Sequence, residues 1–121
     1  MKSAKVLVIE SDPWLGERFE YALKKAGFGV RSTSNAYSAM DMVDEFRPDA
    51  IVMGLLLSGA GGLSLLHELQ SYTDTAGVPV IVCSATNVML DELRPYGVER
   101  VLDSGAMKPD DLVAAVRSVL A

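Results

Sequence analysis

The sequence predicts an α/β fold of the doubly wound class, a parallel sheet with helices on both faces. Three observations predict it. Short apolar runs alternate with helical patterns five times along the 121 residues. Three of the runs are β-branched and uninterrupted, which suits strands buried on both faces. No repeat, low-complexity stretch or linker divides the chain, so residues 1–121 read as one domain. Alternating strands and helices then imply right-handed crossovers.

The elements follow in order. Val6-Leu7-Val8-Ile9 reads as the first strand. Leu15, Phe19, Ala22, Leu23 and Ala26 form one helical stripe behind Pro13, with Asp12 placed as N-cap and Gly27 as the stop. Residues 30–33 read as a weaker strand near an edge. Ala36, Ala39, Met40 and Val43 mark the second helix, which stops before Pro48. Ala50-Ile51-Val52-Met53 is the next buried strand, and Gly62, Leu65, Leu66 and Leu69 mark the third helix. Residues 78–83 make the fourth strand, residues 88–93 a short helix before Pro95, and residues 100–103 a last, weaker strand. Leu112, Val116, Val119 and Leu120 mark the final helix, with Pro109 in its first turn and Asp110-Asp111 at its positive end.

Composition excludes several functions. Half the residues are hydrophobic and 22% are charged, which argues against disorder. Lys plus Arg is 11 against 16 Asp plus Glu, a formal charge of −5. Nucleic-acid binding needs clustered cations, and here they are scattered. No apolar run approaches a membrane span, and the first apolar run is too short, with no small-residue cleavage pattern after it, to read as a signal peptide. The lone Cys83 forms no internal disulfide, so a reducing cytoplasm is expected.

In such sheets ligands sit beyond the carboxyl ends of the strands. The residues there are Glu10-Ser11-Asp12, Thr33-Ser34, Gly54 to Leu57, Ser84-Ala85 and Ser104-Gly105. Four stretches in order carry a family resemblance: VLVIESDP from Val6, RPDAIVM from Arg47 with a loop ending at Gly62, VPVIVCSA from Val78, and GVERVL from Gly97. Over its whole length the chain resembles the CheY-like receiver domain of two-component response regulators. The resemblance implies a flavodoxin-like sheet of strand order 2-1-3-4-5.

The resemblance also implies a set of site positions. Two acids after the first strand help hold Mg²⁺, an Asp after the third accepts a phosphoryl group, a Ser or Thr follows the fourth, and a Lys follows the fifth. Metal and ammonium offset the charge of the transferred group. Here the two acidic positions are Glu10 and Ser11. The acceptor position is Gly54, the hydroxyl position is Ser84 and the lysine position is Ser104. The aromatic that couples to the hydroxyl aligns with Val101. Lys108-Pro109 imitates the family's Lys-Pro pair but falls about four residues late, so Lys108 reads as a solvated residue before a helix.

Asp12 is the nearest remaining carboxylate, but it is expected to cap a helix. Ser11, Ser58 and Ser104 would give stable esters, not a labile acyl phosphate. With Glu10 and Asp12 as the available carboxylates, weak or absent Mg²⁺ binding is expected.

The expected function is a non-enzymatic pseudo-receiver. It would act in signalling by phosphorylation-independent protein–protein contact, as a stand-alone module with no effector after Ala121. The face that the resemblance implies for a partner or a homodimer carries Leu90, Leu93, Val101, Asp103, Val113 and Arg117. Two alternatives are carried: a response regulator phosphorylated on a substitute acceptor, and a small-ligand binder in the emptied pocket. Leu55-Leu56-Leu57 either plug that pocket or form a partner patch. Trp14 is either its lid or a partner anchor. Gly59 to Gly62 lacks the Lys-Ser/Thr of a phosphate loop and reads as a turn. His67 reads as a solvated helix residue and Cys83 as a small core hydrophobe.

Overall fold

The structure is a computed structural model describing residues 3–55, 61–86 and 88–121. Five strands form one parallel sheet of order β2-β1-β3-β4-β5. They are β1 (Lys5–Ile9), β2 (Gly29–Thr33), β3 (Ala50–Met53), β4 (Val80–Ser84) and β5 (Val98–Asp103). The helices are α1 (Pro13–Lys25), α2 (Ala36–Phe46), α3 (Gly62–Ser71), α4 (Leu90–Leu93) and α5 (Pro109–Leu120), with a 3-10 turn at Arg94–Tyr96.

The core has two halves, one on each side of the sheet. One joins Leu7, Ile9, Ile51, Met53, Val80 and Val82 to Ala39 and Val43 of α2 and Leu65, Leu66 and Leu69 of α3. The other joins Val6, Val8, Val52, Ile81 and Cys83 to Phe19 and Leu23 of α1 and Leu112 and Val116 of α5. Central strands alternate their side chains between the halves, and both halves are apolar. That is why β1, β3 and β4 are continuous hydrophobic runs. Edge strands β2 and β5 expose Arg31, Ser32, Glu99 and Arg100, which explains their weaker patterns.

Three boundaries differ from expectation by two residues. β4 starts at Val80, because Pro79 has no N–H for a ladder, although its carbonyl accepts from Ile51 N at 3.0 Å. β5 starts two residues earlier, at Val98, since Gly97 makes the entering turn at φ +86°. α4 is one turn only, Leu90–Leu93, and passes into the 3-10 turn containing Pro95. Among the described residues no helix is long and apolar enough to cross a membrane.

Candidate functional site

The expected site lies beyond the carboxyl ends of β1, β3, β4 and β5, where strand order reverses on either side of β1. The ladder continues one residue past the strands and fixes the rim. Glu10 N donates to Thr33 O, Gly54 N to Ile9 O and Ser104 N to Ser84 O, each at 3.0 Å. A cavity of about 380 Å³ opens there. Glu10, Ser11, Gly54, Ser84 and Ser104 all line it, together with Leu15, Leu55, Cys83 and Thr86. Of the six candidate pocket residues, Glu10, Ser11, Asp12, Gly54, Ser84 and Ser104, the fold thus gathers five.

Asp12, the sixth, is turned to the helix. Its Oδ1 accepts from Trp14 N at 2.9 Å and Leu15 N at 3.4 Å, capping α1. Glu10 Oε2 accepts from Asp12 N at 3.1 Å, which folds the Glu10 carboxylate back over the rim. It comes to rest against Gly54: a Cβ built there would lie 2.9 Å from Glu10 Oε1. Glu10 also acts on Cys83. Burial first, and the Glu10 charge second, push the Cys83 thiol up to about 12. That thiol is 2% exposed and stays protonated near neutrality, consistent with a core role.

The Ser84 hydroxyl is engaged with its own loop. It lies 2.9 Å from the Thr86 hydroxyl and accepts from Thr86 N at 3.1 Å. Sequence reasoning missed Thr86; its signal was the two-residue spacing from Ser84 typical of a side-chain turn. Lys108 stands apart from the cavity's lining and precedes α5, with its backbone N–H donating to Asp111 Oδ2 at 2.8 Å.

Gly62 closes the loop that leaves β3. Its N–H donates to Leu55 O at 2.9 Å, and an added Cβ would come within 2.7 Å of Leu55 Cα. Leu55 is half-buried, packing against the α2–α3 half of the core while lining the cavity. Leu56, Leu57 and Ser58 lie outside the described residues.

The expected partner residues do not share one surface. Leu93 is buried at 4% exposure and Leu90 packs on the α2–α3 core. Val101 is half-buried against the same core, and Asp103 Oδ1 accepts from Gly105 N at 2.9 Å. Val113 and Arg117 line a groove between α5 and α1, away from β5. Trp14 lines that same groove rather than the strand-end cavity. His67 is exposed and meets Tyr96 edge to face at 4.7 Å.

The family model for the response regulator receiver domain matches residues 6–117. The chain belongs to the receiver-domain family of two-component response regulators. It is 31% identical over 119 residues to the DNA-binding response regulator MtrA of Mycolicibacterium smegmatis, covering 96% of this chain and 50% of that protein. It is 33% identical over 118 residues to the transcriptional regulatory protein CseB of Streptomyces coelicolor, covering 95% and 48%. The chain therefore spans about half the length of these curated relatives. The fold is shared with the chemotaxis response regulator CheY4 of Vibrio cholerae, at a TM-score of 0.89 and 17% identity over 98% of this chain and 100% of that one. It is shared too with the BeF3-activated receiver domain of Klebsiella pneumoniae RstA, at 0.82 and 20% over 96% and 97%.

Proposed function

We propose that this receiver domain is phosphate-blind: a cytoplasmic, non-enzymatic module that works in signalling by protein–protein contact without phosphorylation. One observation carries the reading. Residue 54 has no carboxylate to accept a phosphoryl group, and the neighbouring space is taken by the Glu10 carboxylate. Two further features support it. Among the described residues no ammonium group lines the cavity, because the strand-end position after β5 is Ser104. The Ser84 hydroxyl is hydrogen-bonded within its own loop, to Thr86.

The donor set is a poor fit for Mg²⁺. The ion favours carboxylate oxygens. Among the described residues Glu10 is the one carboxylate in the cavity lining, and Asp12 is spent on capping α1. Among the described residues no group of three His, Cys, Asp or Glu converges. Weak or absent Mg²⁺ binding follows from that chemistry.

A heteronuclear NMR titration with Mg²⁺, then beryllofluoride, tests the reading. The expected result is no shift at Glu10, Gly54 or Ser84. Saturable shifts there that spread into β5 would mean a surviving phosphate switch and overturn it.

A second reading, a small-ligand binder, is favoured by the cavity itself, in which apolar Leu15, Leu55 and Cys83 face hydroxyls and one carboxylate. Shifts confined to these residues on a fragment screen would promote it over the first.

A further inference from the structure

The side of the sheet covered by α1 and α5 carries an open groove of about 560 Å³. Trp14 and Tyr21 form its α1 wall at 63% and 68% exposure, unusually open for aromatics of this size. Each has a cation on its ring: the Arg18 guanidinium lies 4.8 Å from the Trp14 ring and Lys25 Nζ 5.9 Å from that of Tyr21. Arg117 projects from α5 into the same groove. Among the described residues none of these three cations has a carboxylate within salt-bridge distance. Glu17 and Asp110 also line the groove, so it is mixed in charge rather than purely basic. A guanidinium stacked on an indole face keeps its N–H edge free for a carboxylate.

The opposite side of the sheet presents the complement. Along α2, Tyr37 is 73% exposed, and Asp41, Asp44 and Glu45 are all exposed. No ion pair joins these acids to any described residue. Tyr37, Asp41 and Asp44 stand four and three residues apart, and Glu45 lies four beyond Asp41, which puts them on one helix face. The α1 stripe Trp14, Arg18, Tyr21 and Lys25 is spaced four, three and four residues apart and spans about 16 Å. One stripe alternates aromatic with cation; the other places carboxylates after an aromatic.

We infer that the α1–α5 groove receives helix α2 of a second copy of this chain. The contact is heterologous, groove to helix. The two surfaces lie on opposite sides of the sheet, so a pair of copies cannot satisfy both contacts at once. Association therefore runs on past the dimer instead of closing as an isologous pair. The inference rests on residues outside the strand-end cavity and holds whether or not that cavity takes phosphate.

Sedimentation equilibrium of the full chain over a wide concentration range tests it, with fluorescence of Trp14, the sole tryptophan, as a second readout. The expected wild-type result is a mass that rises beyond two copies, with Trp14 emission shifting to shorter wavelength as it is covered. Arg18→Glu with Arg117→Glu disables the groove; Asp41→Lys with Glu45→Lys disables the helix. Each double variant should weaken association by about tenfold or more, the effect of losing a close interfacial charge pair. An equimolar mixture of the two should form a one-to-one pair and stop there, since one intact groove meets one intact helix. Circular dichroism establishes that the variants are folded, and Trp14→Ala gives a groove variant without charge reversal. A wild-type chain that stays monomeric, a closed dimer, or a mixture that fails to pair would overturn the inference. So would a monomeric chain whose groove binds only a synthetic acidic helical peptide, which would reassign the groove to a different partner.

Discussion

Glu10 and Gly54 are fitted to one another. The carboxylate of the first occupies the approach that any side chain at the second would need, 2.9 Å from the position of a Cβ. A substitution at residue 54 is thus also a perturbation of Glu10. Gly54→Asp alone should leave the chain unphosphorylated by a small-molecule phosphodonor such as acetyl phosphate, read as no gain in intact mass. The new carboxylate would face Glu10 with no lysine among the described residues of the cavity wall to offset the charge. Robust labelling would show that residue 54 can serve as the acceptor without those partners.

Gly62 meets a harder obstacle. The atoms that a Cβ would strike are the Leu55 backbone, at 2.7 and 2.8 Å, not the tip of a flexible side chain. Gly62→Ala should cost about 1–3 kcal/mol, the usual penalty for overpacking. A thermal melt reads it, and an unchanged melting temperature would mean the loop after β3 yields easily.

Asp12 caps α1 through its Oδ1. Asp12→Ala should destabilise the fold by about 0.5–2 kcal/mol in urea, because the N–H groups of Trp14 and Leu15 lose their acceptor. The same change should leave any residual Mg²⁺ response untouched. A loss of Mg²⁺ response without loss of stability would invert the assignment.

Cys83 ties stability to alkaline pH. Its thiol has an ordinary value of 9.0 and is raised to about 12 in the folded chain. Between these values the unfolded chain gives up this proton and the folded one keeps it. The group therefore lowers stability as pH rises from 9.0 towards about 12, and contributes no such loss below that window. Urea melts of wild type and Cys83→Ala at several pH values isolate the effect. The variant should lose stability less steeply across the window, and parallel slopes would refute the assignment. Alkylation of folded wild type near neutral pH should be slow for the same reason.

Much of the fold was legible because β1, β3 and β4 are covered on both faces, and such strands must be continuously apolar. The strand-end residues were legible because a parallel sheet delivers every carboxyl end to one rim, so counting along the chain locates them. What escaped the sequence was the direction of side chains. The cap at Asp12 was legible from Pro13 and the helical stripe behind it, but nothing in the order Glu10-Ser11-Asp12 reveals that the first carboxylate turns back over Gly54. The family resemblance implies a partner face at Leu93; with α4 only one turn long, the leucine goes inward to anchor it. Val113 and Arg117 look like neighbours of β5 in sequence, but the helical period turns them toward α1.

The packing of α1 against α5 has a consequence for the order of events during synthesis. Phe19 and Leu23 emerge from the ribosome early, yet the residues that cover them, Leu112 and Val116, come some ninety positions later. Until α5 has been made, one side of the nascent sheet and the inner stripe of α1 remain uncovered and open to chaperones or to misassembly. The other side, roofed by α2 and α3, can assemble well before that. Of the two half-cores, the one holding α1 is completed only by the last helix, so stalled or truncated chains should be recognised by its exposed apolar surface.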